Sequence, residues 1–367
     1  MSPRSAPRVR LFRFAAMLII GVGSLFVLKE LGYLDLGAIA EAFRRKGFWI
    51  GLVVLSLAGL LLLSAIRFFI LAKALRLPVR FPDVLAANLV GQAVGQWLPG
   101  SLALTEILRF GVMAKLRVKG EAETVDFGAG PKGRLGLAII IDRLLGLGAM
   151  FAVGGLAGFW LLAVKNQIAP VQALAVGLLS ALSLVLGLAA LAAPFRSNRL
   201  IRKAVLKISG SEPVRGDDPE ASPRGIRGFV RRSARKILQI LEAAEQLQSG
   251  GNRASVPLLL SLAAALFNPL TLYFASIAAG PSLPFPVILA AIPFTVAAIF
   301  LPSGIAGFGG PQLLAAGVFP LFGADPGIVV TACLLQNTIV LAGQTVGGAL
   351  GVALLSDRIT LRPGKRD

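Results

Sequence analysis

Apolar runs recur along this chain at lengths set by a bilayer rather than by a soluble core. Residues 14–34, 48–72, 135–164, 168–193, 254–279 and 328–355 are each largely apolar. With about 20 or more residues at 1.5 Å per residue, each is long enough to cross a hydrocarbon layer of about 30 Å. Two further stretches, 84–114 and 285–322, are broken near their middles by "WLPGS" (97–101) and "FLPSGIAGFGGPQ" (300–312). Their arms of about 12 to 16 residues fall short of the roughly 17 that a span needs. The pattern predicts an all-α integral membrane protein with six full spans and two re-entrant broken-helix hairpins, or eight spans if the hairpin arms cross.

The order span, span, hairpin, span occurs twice, over residues 14–164 and 168–355. The first unit starts on one side of the membrane and the second on the other. This is the inverted-topology arrangement of many secondary transporters, in which opposed broken helices meet near the midplane. The chain reads as one polytopic domain, 1–367, with a long loop at 194–253.

Composition agrees: 56% of residues are hydrophobic, 15% are charged and the mean hydropathy is +0.78, which excludes an ordinary soluble domain. The formal charge of +19 would suggest nucleic acid in a soluble protein, but here the excess sits in the connecting segments and sets topology. No nucleic-acid partner is expected. The 194–253 loop holds thirteen Lys/Arg against six Asp/Glu, whereas the four connections on the other side hold four basic residues in all. Both termini and that loop are therefore expected in the cytoplasm. Arg4, Arg8, Arg10 and Arg13 before "FAAMLIIGVGSLFVL" resemble a secretory signal, but "KELGYLDLG" follows instead of a small-residue cleavage site, so the segment reads as a retained span. Within the loop, "GIRGFVRRSARKILQILEAAEQL" (225–247) has the pattern of a helix lying on an anionic inner leaflet, although topological retention explains its charge equally well.

Cys333 is the single cysteine and there is no histidine. Disulfides, Cys clusters, His triads and His metal sites are thereby removed, and neither a metal nor a cofactor is expected. No phosphate-binding loop is present for a self-contained ATP pump.

Polar backbone freed at membrane depth is tolerated only against protein or a wet cavity. Pro99, Gly100, Pro302, Gly307 and Gly309 are the candidate hinges of such a cavity. Glu106 and Arg109, three apart on the helix after the first break, share a face and can pair. Arg67, Asp142 and Arg143 add charges that would each cost about 2.5 to 3.5 kcal/mol at the centre of an isolated span. Arg67 either snorkels to the cytoplasmic interface or lines the cavity. Asp142 and Arg143 are adjacent and cannot face one another; they either pair with Arg109 and Glu106 to fix packing or meet the substrate. Asn88, Gln92, Gln96, Gln312, Gln336, Asn337 and Gln344 are candidates for the pathway or for interhelical hydrogen bonds. Glu106 and Asp142 have no evident nucleophile or metal beside them, so an enzyme is not expected.

The segments "NLVGQAVGQWLPGSLALTEILRFGVMAKL" (88–116), "IIIDRLLGLGAM" (139–150) and "PFTVAAIFLPSGIAGFGGPQLLAAG" (293–317) resemble the transmembrane domain of lysylphosphatidylglycerol synthases and the wider family of stand-alone flippase-like membrane proteins. By that resemblance Pro99 and Gly100 match the first break and Glu106 and Arg109 its charged pair. Asp142 and Arg143 match the "DR" before an apolar run, and Pro302, Gly307 and Gly309 the second break. Leu104 and Thr105 replace the small residues usual before the acid, and Gln312 stands where an acid is usual. The resemblance implies passage of a lipid, or of its polar head group, between leaflets of a bacterial cytoplasmic membrane without fixing which lipid; an anionic phospholipid or a polyprenyl- or terpenoid-linked lipid is the expected cargo. A small-solute or ion transporter and a non-transporting assembly subunit are the alternatives. Membrane lipids and the anionic inner leaflet are the expected partners, with a homo-oligomer or a lipid-biosynthesis enzyme as further ones. The dozen residues after the last span are too few for an aminoacyltransferase, so synthesis of an aminoacyl lipid is not expected.

Overall fold

The computed structural model describes residues 22–97, 101–117, 131–164, 169–192, 255–296, 304–305 and 308–356. Among the described residues five helices are long and apolar enough to cross a bilayer. They are α3 (Gly47–Ala74), α6 (Pro131–Val164), α7 (Pro170–Ala192), α8 (Ser255–Ala279) and α11 (Pro326–Ser356). All five fall on predicted spans, and the protein is an all-α membrane protein. On α7 the side chains of Leu174, Leu178, Leu182 and Val185 are exposed. Their spacing of four, four and three keeps them on one helical face, an apolar stripe suited to lipid rather than water.

The predicted first span is only partly described. Helix α1 covers 22–30, the chain then turns at Gly32 with φ +71°, and residues 14–21 lie outside the described residues. The segment expected as a plain external loop, 35–47, contains a helix instead, α2 (Leu36–Arg45). Asp35 caps it by accepting a hydrogen bond from the Ala38 N–H at 2.9 Å, and Arg44 and Arg45 sit in its last turn, where positive charge favours the helix end. Its inner side packs with Ile39 and Ala42 against Val53, Ala275 and Leu335, while Leu36 and Phe43 remain exposed.

The first interrupted stretch forms two arms, α4 (Phe81–Gln96) and α5 (Ser101–Arg117). The arms run antiparallel, with Gly91 and Gly95 of α4 against Thr105 and Arg109 of α5. A Cβ on Gly95 would stand 2.1 Å from the Thr105 Oγ1, so only glycine admits the second arm this closely. Pro99 and Gly100 lie outside the described residues. In the second stretch α9 (Phe285–Val296) precedes a two-residue antiparallel pair, β1 (Gly304–Ile305) with β2 (Phe308–Gly309). Helix α10 (Gly310–Val318) and a 3-10 turn, Phe319–Phe322, complete it. The described part of this break is thus a short antiparallel pair that leads into α10. Pro302 and Gly307 lie outside the described residues, but Gly309 has φ +104°, a left-handed value that suits glycine.

The helices pair across the two halves of the chain. Helix α3 packs on α8, α4 on α11, α9 on α6, and α7 on α6; Leu28 of α1 is buried with Val330 and Leu334 of α11. Small and hydroxyl side chains bring the axes together. On α7, for example, Ser183 donates to the Phe151 carbonyl at 2.7 Å.

Candidate functional site

Three helices of the first half bring five charges into one line. Asp142 of α6 lies between two guanidiniums: Arg67 Nε of α3 donates to its Oδ1 at 2.7 Å and Arg109 Nη1 of α5 to its Oδ2 at 3.1 Å. Arg109 Nη1 is also 3.5 Å from Glu106 Oε2, one turn away on α5. Arg143, next to Asp142 on α6, donates from Nη2 to Glu106 Oε1. The sequence of charges is therefore Arg67, Asp142, Arg109, Glu106, Arg143, with a cation at each end. Adjacent residues on a helix point about 100° apart, which sends Asp142 into the bundle and Arg143 to the other side.

Burial is deepest at Arg109 and Asp142 and slightly less at Arg67, whose side chain is 6% exposed. The Arg109 and Asp142 side chains are 1% and 2% exposed, Glu106 14% and Arg143 29%. Charges held this deeply persist only when paired and hydrogen-bonded. Arg67 adds a second bond from Nη1 to Ser261 Oγ of α8 at 3.2 Å and lies over Gly146, where a Cβ would meet its guanidinium nitrogens at 3.1 and 3.2 Å. Arg109 lies 3.7 Å above the Phe68 ring, a cation–π contact within the usual range. Its Nε and Nη2, together with Arg143 Nε and Glu106 Oε2, are buried without hydrogen-bond partners.

Arg143 opens onto a cavity of about 260 Å³ walled by both interrupted stretches. Gln92 and Gln96 come from α4, Thr105 from α5, Asn268 from α8, Thr295 from α9, and Gln336, Asn337 and Gln344 from α11. Among the described residues Arg143 is the one charged side chain on this wall. Gln96, on the same wall, has a buried Oε1 without a hydrogen-bond partner among the described residues. The same two helices, α4 and α11, also form an apolar groove of about 370 Å³ with Val90, Ala93, Val94, Trp97, Thr345, Gly348, Ala349 and Val352. Trp97 and Val94 are exposed.

The sequence-derived residues thus divide. Gln92, Gln96 and Arg143 line the cavity, and Glu106 holds Arg143 from behind. Arg109, Asp142 and Arg67 form the ionic line leading away from it. Arg67 takes neither of its expected places: it does not snorkel and does not line the cavity, because Asp142 and Ser261 draw it inward. Asn88 is buried and donates to the Leu61 carbonyl at 3.4 Å, joining α4 to α3. Gln312 is buried and accepts from the Gly309 N–H at 2.7 Å, bridging the turn into α10. Thr105, Asn268, Thr295 and Ser261 were not singled out from sequence; only "NP" at 268–269, a polar residue before a proline inside a helix, gave a signal.

A family model described as the lysylphosphatidylglycerol synthase TM region matches residues 13–348. No curated protein and no solved structure matches the chain. With that match running from before α1 into α11, the chain belongs to the lysylphosphatidylglycerol synthase transmembrane-region family.

Proposed function

We propose that this protein moves a lipid between leaflets, passing its polar head through the central cavity while its tail stays in the apolar groove. The observation that carries this reading is the juxtaposition itself. A cavity carrying six side-chain amides and one guanidinium among apolar side chains shares the helix pair α4 and α11 with a groove of apolar side chains. An amphipathic molecule with one charged end matches both surfaces, whereas a small polar solute would use only the first. Family membership supports a role in lipid handling.

The mechanism that fits is alternating access. The helix contacts are reciprocal under exchange of the halves: α4 on α11 answers α9 on α6, α1 on α11 answers α7 on α6, and α3 meets α8. This supports two inverted repeats with the cavity at their interface, as in transporters that rock one repeat against the other. The protein sits in the cytoplasmic membrane of a bacterium with both termini inside, and an anionic phospholipid or a polyprenyl- or terpenoid-linked lipid is the cargo.

The test is movement of headgroup-labelled lipids in proteoliposomes, read by leaflet-selective quenching. Acceleration over protein-free vesicles is expected, together with a marked loss in Ala349→Trp, which fills the groove from its exposed side. Folded protein that accelerates no lipid, or movement indifferent to Ala349→Trp, would count against this reading.

A further inference from the structure

The ionic line carries three guanidiniums against two carboxylates, one positive charge in excess, and its two ends differ. At the inner end Arg67 is closed off by Asp142 and Ser261. At the outer end Arg143 faces the cavity, with Nη2 given to Glu106 and Nε buried without a partner. Behind it Arg109 keeps two buried donors, Nε and Nη2, without an acceptor among the described residues, and Glu106 Oε2, in an ion pair with Arg109 Nη1 at 3.5 Å, accepts no hydrogen bond among them. Unsatisfied buried donors and acceptors side by side are costly. Here they are complementary and one turn apart on α5.

From this arrangement we infer that Arg143 is the binding residue for a monoanionic phosphate-type headgroup, and that Glu106 is the internal anion which the headgroup displaces. In the empty protein Glu106 occupies Arg143. When the phosphate arrives it takes the planar fork of Arg143, and the Glu106 carboxylate moves onto the free donors of Arg109. The count then closes: three cations face two carboxylates and one phosphate, and no carboxylate is left buried and unpaired, the state that makes broken buried pairs expensive. Gln96 Oε1 on the same wall is the acceptor for a hydroxyl or ammonium of the headgroup. Arg109 is a positioning residue in this scheme, since it touches Glu106 and not the lipid. The inference rests on the lipid reading for its ligand, but it concerns binding and does not require transport.

The experiment is calorimetric titration of the full chain in neutral detergent with dihexanoylphosphatidylglycerol, dihexanoylphosphatidylcholine and inorganic phosphate. The wild-type protein should bind the phosphatidylglycerol at least about tenfold more tightly than the phosphatidylcholine, whose ammonium finds no anion on the wall. Glu106→Gln removes the internal competitor and should tighten phosphatidylglycerol about tenfold, whereas Arg143→Gln should weaken it by a similar factor or more and Arg143→Lys by less. A purely structural pair would give the opposite sign for Glu106→Gln. If that variant does not fold, Glu106→Asp, which draws the carboxylate back from Arg143, replaces it with the same sign expected. Unchanged or weaker binding in the Glu106 variant, or unchanged binding in Arg143→Gln, overturns the exchange. Inorganic phosphate binding as tightly as the short-chain lipid overturns the lipid headgroup as its source. Lipid binding of the expected pattern without lipid movement in vesicles would sink the transport reading alone.

Discussion

Asp142→Asn removes one charge from the centre of the ionic line while leaving the side-chain volume almost unchanged. Two charge-assisted hydrogen bonds are lost, to Arg67 at 2.7 Å and to Arg109 at 3.1 Å. Each is worth about 1.5 to 3 kcal/mol, so their sum brackets the roughly 3 to 5 kcal/mol that breaking a buried ion pair costs. Some relief remains, because Arg67 keeps Ser261 and Arg109 keeps the Phe68 ring. A loss of about 3 to 4 kcal/mol is therefore expected. The assay is equilibrium unfolding in mixed detergent micelles with SDS as denaturant, applied also to Arg67→Gln, Arg109→Gln and the two double variants. Each double should recover part of the loss, with coupling energies of about 1 to 3 kcal/mol. A cost for Asp142→Asn below about 1 kcal/mol, or strict additivity with both arginines, would mean that the line of charges is not an energetic unit.

Two further outcomes follow from close contacts. Gly95→Ala would place a methyl 2.1 Å from Thr105 Oγ1 and 2.9 Å from its Cα, and should cost about 1 to 3 kcal/mol by prising α4 from α5. Gly23→Ala, with nothing within 4 Å, should be neutral or slightly stabilising in the same unfolding assay, and equal effects at both sites would contradict the packing described. Cys333 lines the central cavity, so a small uncharged thiol reagent should modify it in the folded protein, stop most of the lipid movement, and be slowed by short-chain anionic lipid. A thiol that reacts only after unfolding would place the cavity out of reach of the membrane surfaces.

What the sequence made legible was whatever depends on local spacing. Hydropathy located five spans within a few residues, and the separation of Glu106 from Arg109 was enough to put them on one face. The adjacency of Asp142 and Arg143 was enough to send them to different sides. Contacts between distant segments were not legible. Arg67 meets an acid 75 positions away, and nothing near it in the chain distinguishes that from snorkelling. Asn88 and Gln312 carry side-chain amides as Gln92 and Gln96 do but satisfy backbone groups, a difference decided by which side of a short helix faces α3 or the turn. Helix α2 had a readable signature in Asp35 as cap and apolar positions 36, 39 and 43, and it was masked by the assumption that a short connection between spans is a loop.

All five charged members of the ionic line fall between positions 67 and 143, and the second half supplies only the Ser261 hydroxyl. This has a consequence for biosynthesis. Helices α5 and α6 enter the membrane each carrying an acid and an arginine, a burden no isolated helix bears cheaply. Relief requires only that they meet α3, which has already been made. Both acids of the line can therefore find their arginines while the second half is still on the ribosome, and proteins generally fold their earlier segments first. The later helices α8 to α11 then arrive at a first half whose charges are already settled, and they close the cavity by placing amides and small side chains against it.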